Sequence, residues 1–175
     1  MSIPWKTAEG AELLLAERAW LRDVASAISR CSKKPVIVNI GVYRCASMYC
    51  LRAGAPRARI VGVDIKKPIG KVHSELKAEF IIADSRTCPF EGPVHFIFID
   101  GDHRYKAVKA DIANWVPKIV PGGVIAFHDY ALTAANLKRR PHLAGVRKAV
   151  NRWVARAGWE RFRVVESIVG FRRPL

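Results

Sequence analysis

The sequence predicts a doubly wound α/β fold: a mostly parallel seven-stranded sheet with helices on both faces, ending in an antiparallel C-terminal hairpin. Three observations carry that expectation. Short apolar runs alternate with stretches of helical period along the chain. The runs are nearly continuous in apolar residues, as expected of strands covered on both faces. Residues 161–165 and 168–172 are separated only by Glu166 and Ser167, too close for a helical crossover, so they must pair antiparallel.

Each element has its own signal. Residues 7–29 place Leu14, Leu15, Ala19, Trp20, Val24, Ala27 and Ile28 on one side of a leader helix, which Ser32-Lys33-Lys34-Pro35 ends. Residues 36–40 form the first strand and run into Gly41. A short helix over 45–53 stops at Gly54-Ala55-Pro56, and a second strand over 59–64 finishes on Asp64. A helix is expected over 69–77, a third strand over 79–83 with Asp84 at its carboxyl end, and a loop over 88–92. The run 94–99 is the fourth strand and ends in Asp100-Gly101-Asp102-His103. Residues 105–116 carry apolar positions 108, 112, 115 and 116, a helical period, and Pro117 with Pro121-Gly122-Gly123 turns the chain. The fifth strand, 124–127, delivers His128 and Asp129. Residues 133–142 have no clear period and lie where a substrate loop would. A last helix over 146–157 stops at Gly158.

Half of the 175 residues are apolar, enough for one domain: a leader over 1–34 and an α/β core over 35–175. No apolar window of roughly 18 residues exists and charges interrupt the N-terminal apolar positions, so neither a membrane span nor a signal peptide is expected, and the expected location is the cytoplasm. Cys31, Cys45, Cys50 and Cys88 lack metal-ligand spacing and read as reduced, structural thiols. The net charge is +15, and residues 138–175 hold eleven Lys or Arg against Glu160 and Glu166. Lys148, Arg152 and Arg156 recur every four residues opposite Val146, Ala149, Val150, Trp153 and Val154, the pattern of a solvated helix face. The alternative is a surface that steers an anionic substrate or nucleic acid.

Ligands of open α/β sheets bind outside the carboxyl ends of the strands, so Asp100, His103, His128 and Asp129 should line one crevice. Its other side would start at Gly41, where only glycine lets a ligand approach the backbone, and include Asp64, an acid able to accept bonds from both hydroxyls of a ribose. The run GVYRCA lacks the GxGxxG spacing needed for a pyrophosphate, which argues against a nicotinamide cofactor.

The segment IDGDHRYKAVKADIANWVPKIVPGGVIAFHDY, together with VNIGVYRCAS and VGVDI, resembles class I S-adenosylmethionine-dependent methyltransferases, in particular the compact group with macrolide-sugar O-methyltransferases and cephalosporin hydroxylase-like proteins. The resemblance covers residues 36–172. It implies a Rossmann-like methyltransferase fold and cofactor contacts at Asn39, Gly41, Tyr43, Ser47, Asp64, Ile65, Asp84, Ser85, Asp100, Gly101 and His103. Asp64 would read the ribose and Asp84 the adenine amino group, with a turn cap as the alternative for Asp84. Two positions depart from the family pattern: Asn39 stands where an acid is usual, and Cys45 replaces a second glycine. Asn39 can still accept from an amino group through its amide oxygen, without the favourable charge.

Methyl transfer from a sulfonium is an in-line displacement, so the protein must hold the nucleophile in place and activate it. A base or a divalent cation can activate a hydroxyl. By resemblance, His103 is the general base and Asp100 assists it, with a helix cap near Arg104 as the alternative for His103. Asp102 is expected as a cap or as the partner that orients His103. Asp100, His128 and Asp129 match the residues that hold a metal, Mg²⁺ or another divalent cation, with hydrogen bonding to the strand ends as the alternative. The leading expectation is O-methylation of a small-molecule hydroxyl. The others are a nucleic-acid substrate on the basic C-terminal third and a cofactor-binding protein without turnover. The apolar side of the leader helix is a candidate homodimer surface if it does not pack on its own sheet.

Overall fold

The structure is a computed structural model that describes residue 5, residues 13–70 and residues 72–175. The strands are β1 (Val36–Ile40), β2 (Arg59–Asp64), β3 (Glu79–Ile82), β4 (Val94–Ile99), β5 (Ile119–Phe127), β6 (Glu160–Val165) and β7 (Ile168–Arg172). They form one sheet in the order β3-β2-β1-β4-β5-β7-β6. Pairs from β3 to β5 are parallel, while β7 pairs antiparallel with both β5 and β6. The doubly wound sheet with its terminal hairpin is therefore the architecture the sequence pattern called for.

The described residues hold five α-helices, α1 (Leu15–Cys31), α2 (Ala46–Gly54), α3 (Tyr105–Trp115), α4 (Ala134–Arg139) and α5 (Ala144–Ala157), with α1 and α2 packed on one face of the sheet and α3 and α5 on the other. Side chains alternate across each strand, so β4 sends Phe96 and Phe98 to the α1/α2 side and Ile97 and Ile99 to the α3/α5 side. Trp115, Phe96, Phe98, Phe127 and Phe171 are fully enclosed, and truncating a buried aromatic of this kind to alanine costs about 3–5 kcal/mol. On α5, Val146, Ala149 and Val150 are buried while Lys148, Arg152 and Arg156 are exposed, as their spacing predicts.

Four expectations are corrected. The buried stripe of α1 is Leu13 with Glu17, Trp20, Leu21, Val24 and Ala25, rotated from the predicted side, so Leu14 and Leu15 are exposed. The part of the leader helix predicted over 7–12 lies outside the described residues. Among the described residues of 69–77 the helical element is one 3-10 turn, Ser74–Leu76, which ends where Lys77 turns left-handed at φ 45° and the buried Arg52 takes the carbonyls of Leu76 and Lys77. Pro121-Gly122-Gly123 is part of β5 and not a turn. Gly122, at φ 73°, forms a bulge there; its N–H donates to the Arg173 carbonyl, and Arg173 N donates to the Gly123 carbonyl. Residues 133–142 are ordered as α4 and a 3-10 turn. Thr133 caps α4 by accepting from Asn136 N, a signal too short to register as periodicity.

Among the described residues, no helix is long and apolar enough to cross a membrane. The apolar side of α1 packs on α2 and the sheet, so what that helix leaves open to a second copy is Leu14 and Leu15.

Candidate active site

The carboxyl ends of β1, β2, β3 and β4 open into a cleft of about 530 Å³. Gly41 sits at its floor with φ 82°, and a Cβ there would lie 2.1 Å from the carbonyl oxygen of Asp100. No other residue fits that contact. The loop that follows is held by Asp64: its Oδ2 accepts from Val42 N at 2.7 Å and from Tyr43 N at 3.4 Å, and its Oδ1 accepts from Lys66 N at 3.0 Å. An ionised carboxylate has about four acceptor positions, so Asp64 retains capacity for a ligand hydroxyl. Tyr43 and Cys45 both adopt left-handed backbone, at φ 45° and 63°, and the Cys45 side chain is buried. Cysteine thus holds a conformation that glycine adopts without strain.

Asp84 accepts from the backbone of Arg86 at 3.0 Å and from its Nε at 2.8 Å, and this pairing holds its carboxyl down at about 2. It is a turn cap and an ion pair at once. Ser85 donates to the buried Asp111 at 2.6 Å, and its carbonyl accepts from Asn114 and Trp115 Nε1, so α3 fixes this side of the cleft. Burial, aided by Asp84 and Asp102, pushes the Asp111 carboxyl up to about 6. Of the predicted cofactor residues, Gly41, Tyr43, Ser47, Asp64, Ile65, Asp84, Ser85, Asp100, Gly101 and His103 line the cleft. Asn39 does not. It lies beneath, fully buried, donating to the carbonyl of Gly41 at 2.7 Å and leaving its Oδ1 without a hydrogen-bond partner.

The ends of β4 and β5 meet beside the cleft: of the four residues expected to line one crevice, Asp100 and His103 line it, while His128 and Asp129 stand behind them. Donor atoms of Asp100, His103, His128 and Asp129 all lie within 4.8 Å of one another. His128 Nδ1 is 3.0 Å from Asp100 Oδ1 and 3.7 Å from Asp129 Oδ2, and His103 Nε2 is 3.1 Å from Asp129 Oδ2 and 3.4 Å from Asp100 Oδ1. His103 Nε2 is buried between two carboxylates without an aligned hydrogen bond to either. Asp129 reaches the cluster from a left-handed backbone at φ 54°, an uncommon state for a residue with a side chain. Burial opposes charge on both rings. The carboxylates outweigh it: Asp100 and Asp129 raise His103 to about 9, and Asp100, Glu17 and Asp129 raise His128 to about 11. The set therefore holds its charge balance with protons on both imidazoles, and a divalent cation is the other species able to sit among these oxygens and nitrogens. Two carboxylate oxygens and two ring nitrogens, one of them the orphaned Nε2 of His103, fit such an ion.

In the turn after β4 one of the two readings of Asp102 and one of the two readings of His103 fall away. Asp102 does not orient His103: it accepts from Arg104 N at 3.0 Å and pairs with the Arg104 guanidinium. His103 is not a helix cap either, because α3 begins at Tyr105 with no side-chain cap and the ring turns toward β5. A Cβ on Gly145 would lie 2.5 Å from the carbonyl of His103, so the start of α5 packs directly against this turn. Sequence reasoning missed Glu17 and Asp111. Both are acids at positions where helical spacing demands an apolar side chain, Glu17 between Leu13 and Leu21, and Asp111 between Ala107 and Trp115. That placement was readable.

A family profile described as a methyltransferase domain matches residues 38–130, just over half of the chain. An uncharacterized protein of Sinorhizobium fredii, y4gI, is 46% identical over 39 residues, which span 22% of this chain and 4% of that one. Among solved structures, the N-methyltransferase NodS of Bradyrhizobium japonicum superposes with a TM-score of 0.63 at 16% identity, covering 88% of this chain and 94% of its own. The O-methyltransferase NovP gives 0.67 at 15%, covering 92% and 81%. The mycinamycin-pathway methyltransferase MycE, solved with Mg, S-adenosylhomocysteine and mycinamycin VI, gives 0.71 at 17%; it covers 99% of this chain, which spans about half (52%) of MycE. At these identities the structures share the fold.

Proposed function

The chain belongs to the methyltransferase-domain family, as its resemblance to class I S-adenosylmethionine-dependent methyltransferases implied, and is an enzyme of that kind; we propose that its acceptor is a hydroxyl of a small molecule and that a divalent cation assists. The observation that carries this reading is the convergence of Asp100, His103, His128 and Asp129 beside the cleft. A sulfonium methyl needs no activation, whereas an alcohol does, and this cluster contains both a base and a set of cation ligands. NovP is an O-methyltransferase and MycE was solved with Mg, which supports the reading, while NodS is an N-methyltransferase.

In this reading Asp64, Asp84 and Ser85 would hold the adenosine of S-adenosylmethionine and Gly41 and Ser47 its methionine, while Asn39 supports the floor from beneath through the Gly41 carbonyl. Asp100, His128 and Asp129 would hold the cation, which would supply Lewis-acid polarisation of the acceptor oxygen. His103 receives the acceptor's proton on Nε2. It can do so only in its neutral form, so the Asp100 and Asp129 charges that now keep it protonated must be engaged elsewhere.

Calorimetric titration with S-adenosylmethionine, with and without Mg²⁺, followed by methyl-transfer assays on hydroxyl acceptors, tests the reading. Cofactor binding in neither titration would sink it. A nucleic-acid acceptor is the second reading, favoured by an open groove of about 620 Å³ between α3 and α5 that Lys109, Arg152 and Arg156 line beside Tyr105 and Trp153. Retention on RNA or DNA that weakens steeply with salt supports it, and retention indifferent to salt counts against it.

A further inference from the structure

We propose that Glu17 is a positioning residue for the cation site, acting through His128; the inference rests on the cation reading above. Glu17 is 1% exposed, in the buried stripe of α1, and none of its described contacts is to a lysine or arginine. Its Oε1 accepts from Ser167 N at 3.0 Å and Ser167 Oγ at 2.6 Å, and its Oε2 accepts from Leu14 N at 2.9 Å and lies 3.4 Å from His128 Nε2. A carboxylate on the far nitrogen of an imidazole favours hydrogen there: when a cation takes Nδ1, between Asp100 and Asp129, His128 gives up the Nδ1 proton and keeps the one on Nε2, toward Glu17.

The geometry also says where the site is completed. Glu17 lies before the family-matched segment 38–130 and Ser167 lies after it, in the turn between β6 and β7. Docking of α1 against that turn is therefore what places the Glu17 carboxylate on His128. Glutamine cannot reproduce the arrangement, because its single oxygen can accept from Ser167 or from His128 while its amide presents hydrogens to the other.

The test is a Mn²⁺ titration followed by electron paramagnetic resonance on the full chain and on Glu17→Gln and Ser167→Ala, with S-adenosylhomocysteine affinity measured on each. Glu17→Gln should weaken Mn²⁺ about 10- to 100-fold, the usual cost of losing the partner of a ligating histidine, and leave S-adenosylhomocysteine unchanged. Ser167→Ala, which keeps the backbone donor and the His128 contact, should retain Mn²⁺ affinity. Equal losses in both variants would reduce Glu17 to a structural anchor and overturn the proposal. Parental Mn²⁺ affinity in Glu17→Gln overturns it while leaving the cation reading intact, and no Mn²⁺ binding by the unmodified chain overturns both. If Glu17→Gln does not fold, ¹⁵N spectra of the Mg²⁺-loaded unmodified chain decide the matter: hydrogen on His128 Nε2 supports the proposal and hydrogen on Nδ1 overturns it.

Discussion

The two sides of the crevice are built by different means. Backbone organises the cofactor side: Gly41 against the Asp100 carbonyl, left-handed Tyr43 and Cys45, and two acids that fold their own turns by accepting nearby amides. On the acceptor side, side chains from remote elements converge, with Asp100 from β4, His128 and Asp129 from β5, and Glu17 from α1. The first kind of construction is local in sequence. The second depends on every partner being present, because each charge there is balanced only by its neighbours.

That difference separates the effects of substitutions. The largest expected is at His103, where replacement by glutamine should lower the methyl-transfer rate by roughly 10²–10⁴-fold, the range for a positioned general base. Affinity for S-adenosylhomocysteine should stay within a factor of a few, since the residue borders the cleft without organising the loop. A parallel loss of cofactor affinity would show that the two sides are not separable. Gly41→Ala is the counter-experiment, because this position touches both. A methyl group 2.1 Å from the Asp100 carbonyl, on a left-handed backbone, should cost about 4 kcal/mol from overpacking and strain together. Chemical denaturation should register that loss, and both cofactor and Mn²⁺ binding should fail together.

The same contrast explains what could be read from the sequence. Strand ends, Gly41, Asp64 and Asp84 were legible because their signals are local: an apolar run, then a glycine or an acid. The grouping of Asp100, His103, His128 and Asp129 followed from strand ends sharing one edge of a parallel sheet. What supports that group was only half legible: an acid at 17, between Leu13 and Leu21, could be read, but its partners could not. Glu17 and Ser167 are 150 residues apart, and only the docking of α1 on the terminal hairpin brings them together. The rotation of the α1 stripe has the same origin: periodicity alone favoured the more apolar residues Leu14 and Leu15, while tertiary packing placed Glu17 inside because His128 and Ser167 supply its partners. Beside Pro121-Gly122-Gly123, a turn signature was overridden because the bulge lets β5 continue its pairing with the chain end.

Asp111 offers a smaller and cleaner test on the cofactor side, through stability. Its carboxyl is 1% exposed and its folded pKa is about 6, above the ordinary 3.8, with burial as the main cause. For an acid whose folded pKa is raised, ionisation is harder in the folded chain than in the unfolded one. Above pH 6 the folded state therefore carries the full penalty, roughly 3 kcal/mol for a two-unit shift, and the penalty fades as pH falls from about 6 to 3.8. Asp111→Asn removes the charge, and its amide oxygen can still accept from Ser85. The variant should be more stable than the parent by up to that amount at pH 8, and the two unfolding curves should converge near pH 4. Mn²⁺ affinity should be the same in both, because Asp111 belongs to the cleft wall set by α3 and not to the β4–β5 cluster. A stability gain that persists unchanged at pH 4 would mean that the asparagine packs better and that no buried charge was being carried. A change in Mn²⁺ affinity would mean that the wall of the cofactor cleft also tunes the acceptor side.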